Sequence, residues 1–174
     1  MKNSFVFTIV ILLLLVVSGC AAPKQEIEIL GNVKTVGNNI SVNGTSTLEG
    51  GSEIKVELEK LGTNTILNEN AVKVDEDGNY SLNFSRENRE EDQKLVVSFH
   101  PEEQPEEIQK IYGANGENIS ENSPGLFQYS IDGDEYTGVQ MFDFIFRVVK
   151  GETGQRTFLN EYFDNPNETI NGEE

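Results

Sequence analysis

The stretch "SEIKVELEKL", residues 52–61, alternates apolar and charged side chains almost without a break. Ile54, Val56 and Leu58 fall on one side of an extended chain, and the charged residues between them fall on the other. A period of two with one apolar face is typical of a half-buried strand in an antiparallel sheet. The segment therefore predicts β-structure whose apolar face packs against a second layer.

The same alternation recurs on both sides of this segment. "NNISVNGT", residues 38–45, alternates Ile40 with Val42, and "KLVVSF", residues 94–99, has the same period. Glycine, asparagine and aspartate separate these short runs, and no helical period occurs before residue 100. Several short strands with turn residues between them predict a β-sandwich.

Two Asp-Gly pairs predict tight turns between alternating runs. The first lies in "AVKVDEDGNYSLNF", residues 71–84, and the second in "FQYSIDGDEYTGVQMF", residues 127–142. Glycine accepts the positive φ that a two-residue hairpin loop requires. We therefore expect a hairpin at Asp75–Asn79 and another at Asp132-Gly133.

One short helix interrupts the β pattern. In "PEEIQKIYG", residues 105–113, Pro105 suits a first turn and two glutamates follow it near the positive helix end. Ile108, Ile111 and Tyr112 share one face, and Gly113 stands where a helix ends. The pattern predicts about two turns that cap the sandwich.

The most apolar stretch after the N-terminal segment is "GVQMFDFIFRVVK", residues 138–150, which is apolar on both faces. We expect one of its faces to line the core, namely that of Phe142, Phe144, Phe146 and Val148. Packing under the chain's own helix or loop is the first explanation for the opposite face. The alternative is a partner surface, and its residues are Met141, Ile145 and Val149.

The segment 39–99 resembles a bacterial immunoglobulin-like module. The likeness rests on "ISVNGTSTLEGGSEIKVELE", residues 40–59, followed by "VKVDEDGNYSLNF", residues 72–84. Envelope proteins, including those with the spore-germination type of immunoglobulin-like domain, show a similar order of strand, small-residue turn and D-G-x-aromatic segment. The resemblance implies a mostly β chain, an immunoglobulin-like antiparallel β-sandwich with one short helix, and it assigns no ligand.

The N-terminus has the layout of an export signal. Lys2 precedes an apolar run from Phe5 to Val17, which as a helix rises only roughly 20 Å. A bilayer core of about 30 Å needs about 20 apolar residues, so the run is short for a membrane span. Small residues follow at Ser18 and Gly19 and suit a cleavage site.

Val17, Ser18, Gly19 and Cys20 resemble the lipobox of bacterial lipoproteins. In that family the cysteine thiol carries a diacylglyceryl group and becomes the first residue of the mature chain. Cys20 is the only cysteine, so a disulfide within the chain is excluded. The resemblance implies attachment to the membrane through lipid on Cys20, at the outer face of the plasma membrane of a bacterium, and the composition favours a Gram-positive one.

The length of 174 residues fits one domain. We expect a lipoprotein signal peptide at 1–19, the lipidated cysteine and a tether at 20–27, one β-sandwich at 28–163 and a disordered tail at 164–174. The chain has 30 acidic and 13 basic residues and a formal charge of −17. Such a charge repels nucleic acids, which excludes them as partners.

No motif in the chain indicates a catalytic or metal centre. Asp75, Asp77 and Asn79 imitate the start of an EF-hand loop, but Tyr80 replaces its glycine and Arg86 its final glutamate. His100 is the only histidine and no nucleophile-elbow sequence accompanies it. We expect no enzyme activity, no cofactor and no bound metal.

These features predict a lipid-anchored extracytoplasmic binding or envelope-assembly module, with an envelope protein as partner. The alternative is a ligand- or ion-binding accessory lipoprotein of a transporter or sensor. A pocket with converging polar groups favours the alternative. An edge strand or an exposed apolar patch favours the module.

Overall fold

A computed structural model describes residues 23–63, 65–149, 151 and 154–159. Cys20, the three residues before it and the predicted tail lie outside the described residues. The described chain is mostly β-structure with one α-helix and one turn of 3₁₀-helix. In chain order the elements are β1 (Ile29–Val36), β2 (Asn39–Ser46), β3 (Glu53–Lys60), β4 (Thr65–Lys73), β5 (Asn79–Ser85), β6 (Gln93–Phe99), the 3₁₀ turn (Pro101–Glu103), α1 (Glu106–Tyr112), β7 (Leu126–Ile131), β8 (Asp134–Ile145) and β9 (Gly154–Leu159).

The strands form two antiparallel sheets. One has the order β5-β2-β1-β9 and the other the order β4-β3-β6-β8-β7. The chain crosses between sheets from β2 to β3, from β4 to β5, from β5 to β6 and from β8 to β9. Repeated crossing of this kind is the Greek-key connection of immunoglobulin-like sandwiches. The predicted antiparallel sandwich with one short helix is confirmed.

The core lies between the inner faces of the two sheets. Alternate residues of the central strands supply it, as the period of two in the sequence requires. These strand residues are less than 5% exposed: Ile29, Val33, Ile40, Val42, Ile54, Val56, Leu58, Leu95, Val97, Phe99, Val139, Met141, Ile145 and Leu159.

The predicted helix is confirmed at Glu106–Tyr112. Ile108 and Tyr112 are buried, and Gly113 follows at φ 87°, which favours glycine. The Tyr112 ring meets Phe99 edge to face at 5.1 Å, and the Glu49 amide donates to the Tyr112 hydroxyl at 2.8 Å. The helix therefore closes one end of the sandwich.

Of the two predicted hairpins, one is confirmed and the other is wrong. Asp132 and Gly133 have φ values of 53° and 96° and join β7 to β8 in a two-residue loop. The turn at Asp75–Asn79 instead leads from one sheet to the other, because β4 pairs with β3 and β5 pairs with β2. The Asp75 carboxylate accepts hydrogen bonds from the Asp77 and Asn79 amides and holds this crossing turn.

The predicted faces of β8 are also wrong. Met141 and Ile145 are 4% and 0% exposed and belong to the core, whereas Phe144 is half-buried on the outer face and Phe146 is 58% exposed. Directly opposite residues of paired strands share a face, and Met141 stands opposite the inward Val97 of β6. Met141 and Ile145 are therefore not a partner surface, while Val149, the third residue of that prediction, is 54% exposed.

The folded domain begins before residue 28, inside the predicted tether. The Gln25 amide donates to Asn118 O and the Gln25 carbonyl accepts from the Ser120 amide, both at 2.7 Å. Ile27 is fully buried, and its amide donates to the Ser123 hydroxyl at 2.9 Å. Within the described chain, the tether is therefore reduced to the residues before Gln25.

The two ends of the sandwich differ. The end with Gln25, Ile29 and α1 is called the tether pole. The opposite end, where β1 finishes at Val36, is called the arginine pole; it also includes the segments 86–92 and 146–149. No helix of the described chain is long and apolar enough to cross a membrane.

Candidate functional site

All four arginines of the chain have their backbone at or near the arginine pole. Arg86 and Arg89 follow β5, Arg147 follows β8, and Arg156 lies near the start of β9, opposite Lys34. The whole chain carries a formal charge of −17, so the presence of Arg86, Arg89 and Arg147 at one end is a local departure from an acidic protein.

Arg86 is the buried member of the group. Its side chain continues the alternation of Leu82 and Phe84 past the end of β5 and is 1% exposed. Its Nη1 donates to the Phe146 carbonyl at 3.1 Å, and its Nε and Nη2 have no hydrogen-bond partner among the described residues. Burial lowers the pKa of Arg86, and the charge of Arg89 lowers it further, while Asp92 acts in the opposite direction.

A cleft of about 100 Å³ lies beside this guanidinium group. It opens between the end of β1, the residues after β8 and the start of β9. Its lining residues are Thr35, Arg86, Phe146, Arg147, Val148, Gly154 and Gln155.

Hydrogen bonds fix the walls of the cleft. The Gln155 side chain accepts from the Phe146 amide at 2.9 Å and donates to the Phe144 carbonyl at 2.8 Å. The backbone amide of Gln155 donates to the Thr35 hydroxyl at 3.1 Å, and Thr35 is 2% exposed. Because these bonds join both sheets, they preorganise the described walls of the cleft.

The segment 86–92 is tied to the far wall. The Arg147 amide donates to the Asp92 carboxylate at 2.7 Å, and the Val148 amide donates to the Arg89 carbonyl at 2.9 Å. The other acidic side chains of this segment are exposed and do not line the cleft; they are Glu87, Glu90 and Glu91. Among the described residues, no carboxylate therefore lines the cleft with Arg86.

Exposed apolar side chains concentrate at the same pole. Among the described residues, eight large apolar side chains are at least 40% exposed, and two of them, Leu30 and Ile131, lie toward the tether pole. The remaining six lie near the arginine pole: Val36, Leu61, Ile66, Leu67, Phe146 and Val149. Exposed apolar side chains gathered at the end of the molecule that also carries a basic cleft are typical of a binding surface.

His100 lies in a second polar cluster, on the outer face of the five-stranded sheet. Its Nε2 is 3.1 Å from the Ser98 hydroxyl, and its Nδ1 is 3.5 Å from Glu102 Oε1. The Tyr129 hydroxyl donates to Glu102 Oε2 at 2.5 Å. Burial lowers the pKa of His100, and burial followed by the Glu102 carboxylate raises that of Tyr129.

This cluster has the order of a serine–histidine–acid relay, but the position of Ser98 does not suit one. Ser98 is 1% exposed, so a substrate carbonyl has no path to its hydroxyl in this arrangement. The chemistry open to the cluster is hydrogen bonding that fixes His100 and Glu102. The sequence pattern that points to this cluster is the period of two, which puts Ser98 and His100 on the same face of an extended chain.

A stack of three rings continues the outer face beside His100. The rings of Phe127 and Tyr129 are stacked at 4.9 Å, and those of Tyr129 and Tyr136 at 5.6 Å. Gly138 leaves room for the stack, since a Cβ there would lie 2.9 Å from the Phe127 ring. These contacts attach the edge strand β7 to β8 and bury aromatic area on the face that does not meet the core.

The acidic turns hold no group of metal-ligating residues in the described chain, where no three histidine, cysteine, aspartate or glutamate side chains converge. The Asp75 carboxylate is used inside its own turn, and its hydrogen bonds from the Asn79 backbone and side chain lower its pKa.

No protein-family model, curated protein or solved structure matches this chain. The fold and the site are therefore the basis for a function. The sequence does not mark Arg86 as a binding residue, because its surroundings, "SRENREEDQ", have the composition of a solvated loop. The available signal was again the period of two, in which Arg86 follows Leu82 and Phe84 on the inward side.

Proposed function

We propose that this chain is a lipid-anchored binding or assembly module without catalytic activity, at the outer face of the plasma membrane of a Gram-positive bacterium. The observation that supports this proposal is that the end of the domain next to Cys20 and the end with the basic cleft lie opposite each other. The residues that follow Cys20 enter the domain at the tether pole, while the basic cleft and most exposed apolar side chains lie at the other end.

The distances support presentation to a partner. Residues 20–24 extend at most about 18 Å, at 3.3–3.6 Å per residue. The eight residues of β1 then run roughly 26 Å from one pole toward the other. A lipid on Cys20 therefore holds the tether pole close to the bilayer and directs the arginine pole away from it.

The chemistry of the arginine pole suits an envelope protein as partner. Interfaces are enriched in aromatic residues and arginine. Phe146 combines 58% exposure with a position on the rim of the cleft, beside Arg147. The overall acidity of the chain remains unfavourable for nucleic acid.

The anchor is tested by mass spectrometry of the protein extracted from membranes. We expect the mature chain to begin at an acylated Cys20. Cys20→Ala should yield no mature chain retained by membranes. A wild-type mature chain that begins at another residue would contradict the anchor.

The partner surface is tested by chemical cross-linking in cells followed by co-purification. Phe146→Asp, at the arginine pole, should lose a cross-linked envelope protein that the wild type retains. Ile131→Asp is the matched control, because Ile131 is 44% exposed at the other end of the molecule. Equal behaviour of the two variants would refute this surface.

The alternative function, a ligand-binding accessory lipoprotein of a transporter or sensor, is favoured by one observation. The cleft is lined by two arginines, Arg86 and Arg147, together with Thr35 and Gln155, and a concave site with polar groups is what a small-molecule site needs. The two functions differ in whether the occupant of the cleft is part of a protein or a free solute.

A further inference from the structure

We propose that the free edge of β4 accepts a basic β-strand of the protein partner, which would extend the five-stranded sheet by one strand. This inference rests on the proposed binding function and names the kind of segment that the partner contributes. The first residues of β4 carry two of the apolar side chains that are exposed near the arginine pole, Ile66 and Leu67. The edge is therefore continuous with the surface that the partner would contact there.

The backbone of β4 has one side that no other strand uses. β4 stands at the end of the order β4-β3-β6-β8-β7 and pairs only with β3 among the described residues. In an antiparallel ladder, alternate residues direct their N–H and C=O groups toward one neighbour, and the residues between them direct theirs away. No backbone hydrogen bond from another described segment reaches residues 68–73, which lie beyond the register shift of this pair. This segment is therefore a template of roughly 20 Å for a further strand.

The other described edges of the two sheets suit a partner less well. β7 and β9 have six residues each and β5 has seven, against nine in β4. The outer face of β5 presents serine and asparagine side chains that are hydrogen-bonded to β2. β4 contains no proline, and its Ile66 and Leu67 are 50% and 42% exposed. A long edge strand with exposed apolar residues pairs readily with another chain.

Two carboxylates beside this edge indicate the charge of the strand that fits. Glu57 and Glu69 stand directly opposite each other in the register of β3 with β4. Neither forms a salt bridge among the described residues, because the lysines on this face of β3, β4 and β6 bond other glutamates; they are Lys55, Lys73 and Lys94. Like charges directly opposite each other destabilise a sheet. A lysine or arginine of an added strand, placed opposite Glu69, would relieve this repulsion.

The pKa of Glu57 agrees with a shortage of positive charge on this face. Burial raises the pKa of the Glu57 carboxyl, Lys55 lowers it, and the carboxylates of Glu69, Glu59 and Glu103 raise it further. The Lys55 amino group already donates to Glu103. The outer face beside β4 therefore favours an added cation over an added carboxylate.

The inner side of β4 and the net charge narrow the occupant further. Asn68 and Asn70 stand opposite the inward residues of β3, and the Asn70 side-chain amide donates to Asn68 Oδ1 at 2.5 Å. Small polar residues of an added strand suit these positions. A second copy of this chain would instead bring another formal charge of −17 to an edge that already holds opposed carboxylates. The occupant is therefore a strand of a different protein that alternates basic with small polar residues.

The test uses a synthetic peptide that alternates lysine and threonine over the length of β4. Hydrogen–deuterium exchange of the full chain in a nonionic detergent, followed by ¹⁵N NMR, gives the rate at each amide. At saturating peptide, the outward amides of β4 should exchange at least about tenfold more slowly, while those of β7, the opposite edge of the sheet, should keep their rates. The same peptide with N-methylated central amides keeps its charge but cannot pair along either side, and it should not slow the exchange.

A matched pair of variants tests the charge. Glu69→Gln removes one of the opposed carboxylates and, because this relieves a like-charge contact, should leave the domain folded. The peptide concentration that slows the β4 amides should rise about two- to fivefold in this variant. Glu107→Gln changes an exposed glutamate of α1 and should bind the peptide as the wild type does. A peptide with glutamate in place of lysine should not slow the exchange of β4 in the wild type.

Unchanged exchange at β4, or equal slowing by the N-methylated peptide, overturns the strand addition. Equal binding of the lysine peptide to Glu69→Gln and to the wild type overturns the basic character of the strand. A dimer of the chain alone in sedimentation velocity, with β4 protected without peptide, would put a second copy on the edge and also overturn the inference. Partner capture that Phe146→Asp loses, without any peptide effect, would refute the strand site alone, while a peptide effect without any captured partner would refute the proposed module alone.

Discussion

Replacement of Ile145 by alanine tests how β8 is oriented in the sandwich. Ile145 is fully buried at the end of β8 and belongs to the core. The change removes about three methylene-sized groups, or about 2.4 kcal/mol at 0.8 kcal/mol each. The cavity left behind adds to this loss, so we expect about 3–4 kcal/mol within the usual range of about 2–5 kcal/mol.

The assay is urea unfolding of the full chain in a nonionic detergent, followed by far-ultraviolet circular dichroism. With an m value of about 2 kcal/mol per molar of urea, the midpoint should fall by roughly 1.5–2 M. Phe146→Ala is the matched control at the neighbouring position. Phe146 is 58% exposed, so its loss should change the free energy of unfolding by about 0.5 kcal/mol or less.

The opposite ranking would refute the orientation of β8. If Ile145→Ala costs less than about 1 kcal/mol while Phe146→Ala costs several, Phe146 rather than Ile145 faces the core. An Ile145→Asp chain gives a further check, because a carboxylate at this position would be buried among apolar side chains. That variant should not fold, and a stable Ile145→Asp domain would contradict the burial of the residue.

Three further predictions concern other contacts, and urea unfolding measures each. Tyr80→Phe removes the hydrogen bond from the Tyr80 hydroxyl to the Leu30 carbonyl at 2.9 Å and should cost about 1 kcal/mol; no change would mean that water replaces the bond without loss. Gly44→Ala places a Cβ against the Leu30 carbonyl and the Tyr80 ring and should cost roughly 1–3 kcal/mol or more, so a neutral result would contradict the close approach of β2 to Tyr80. Burial holds the pKa of His100 below its unfolded value of about 6.5, so the folded state binds fewer protons than the unfolded state. The free energy of unfolding should therefore fall as the pH drops through and below about 6.5. His100→Gln should flatten this part of the pH profile, and an unchanged profile would exclude His100 as its cause.

Local turn chemistry predicted one loop correctly and misplaced another for a physical reason. Asp132-Gly133 and Asp77-Gly78 offer the same left-handed glycine between alternating runs. The glycine fixes the bend but not the strand that pairs next. β5 pairs with β2, more than thirty residues earlier, because its inward side chains complete the other sheet. That choice depends on distant packing, which a local pattern does not contain.

The faces of β8 were undetermined by periodicity for a similar reason. The strand has apolar residues at both odd and even positions, so both of its faces are apolar and either face could turn toward the core. The register with β6 decides the matter, since Val97 stands opposite Met141. The half-buried Phe144 then lies on the outer face of the sheet.

The candidate site was less accessible from sequence than the fold. The cleft joins residues from β1, the segment after β5, the segment after β8 and the start of β9, so no continuous motif marks it. Thr35 and Gln155 contribute through a hydrogen bond between residues 120 positions apart. The sequence indicated only that Arg86 continues the alternation of the inward residues of β5. It does so within a stretch whose composition indicates a solvated loop.

The central position of β1 has a mechanical consequence for an anchored protein. β1 lies between β2 and β9, with hydrogen-bonded partners on both edges, and the Gln25–Ile119 bridge lies just before it. A force between a lipid on Cys20 and a partner at the arginine pole would pull along β1, across hydrogen bonds that lie perpendicular to the strand. Such a load is shared by the whole ladder in shear rather than breaking one bond at a time. In the anchored state that we propose, the domain would therefore transmit tension from partner to membrane before it unfolds.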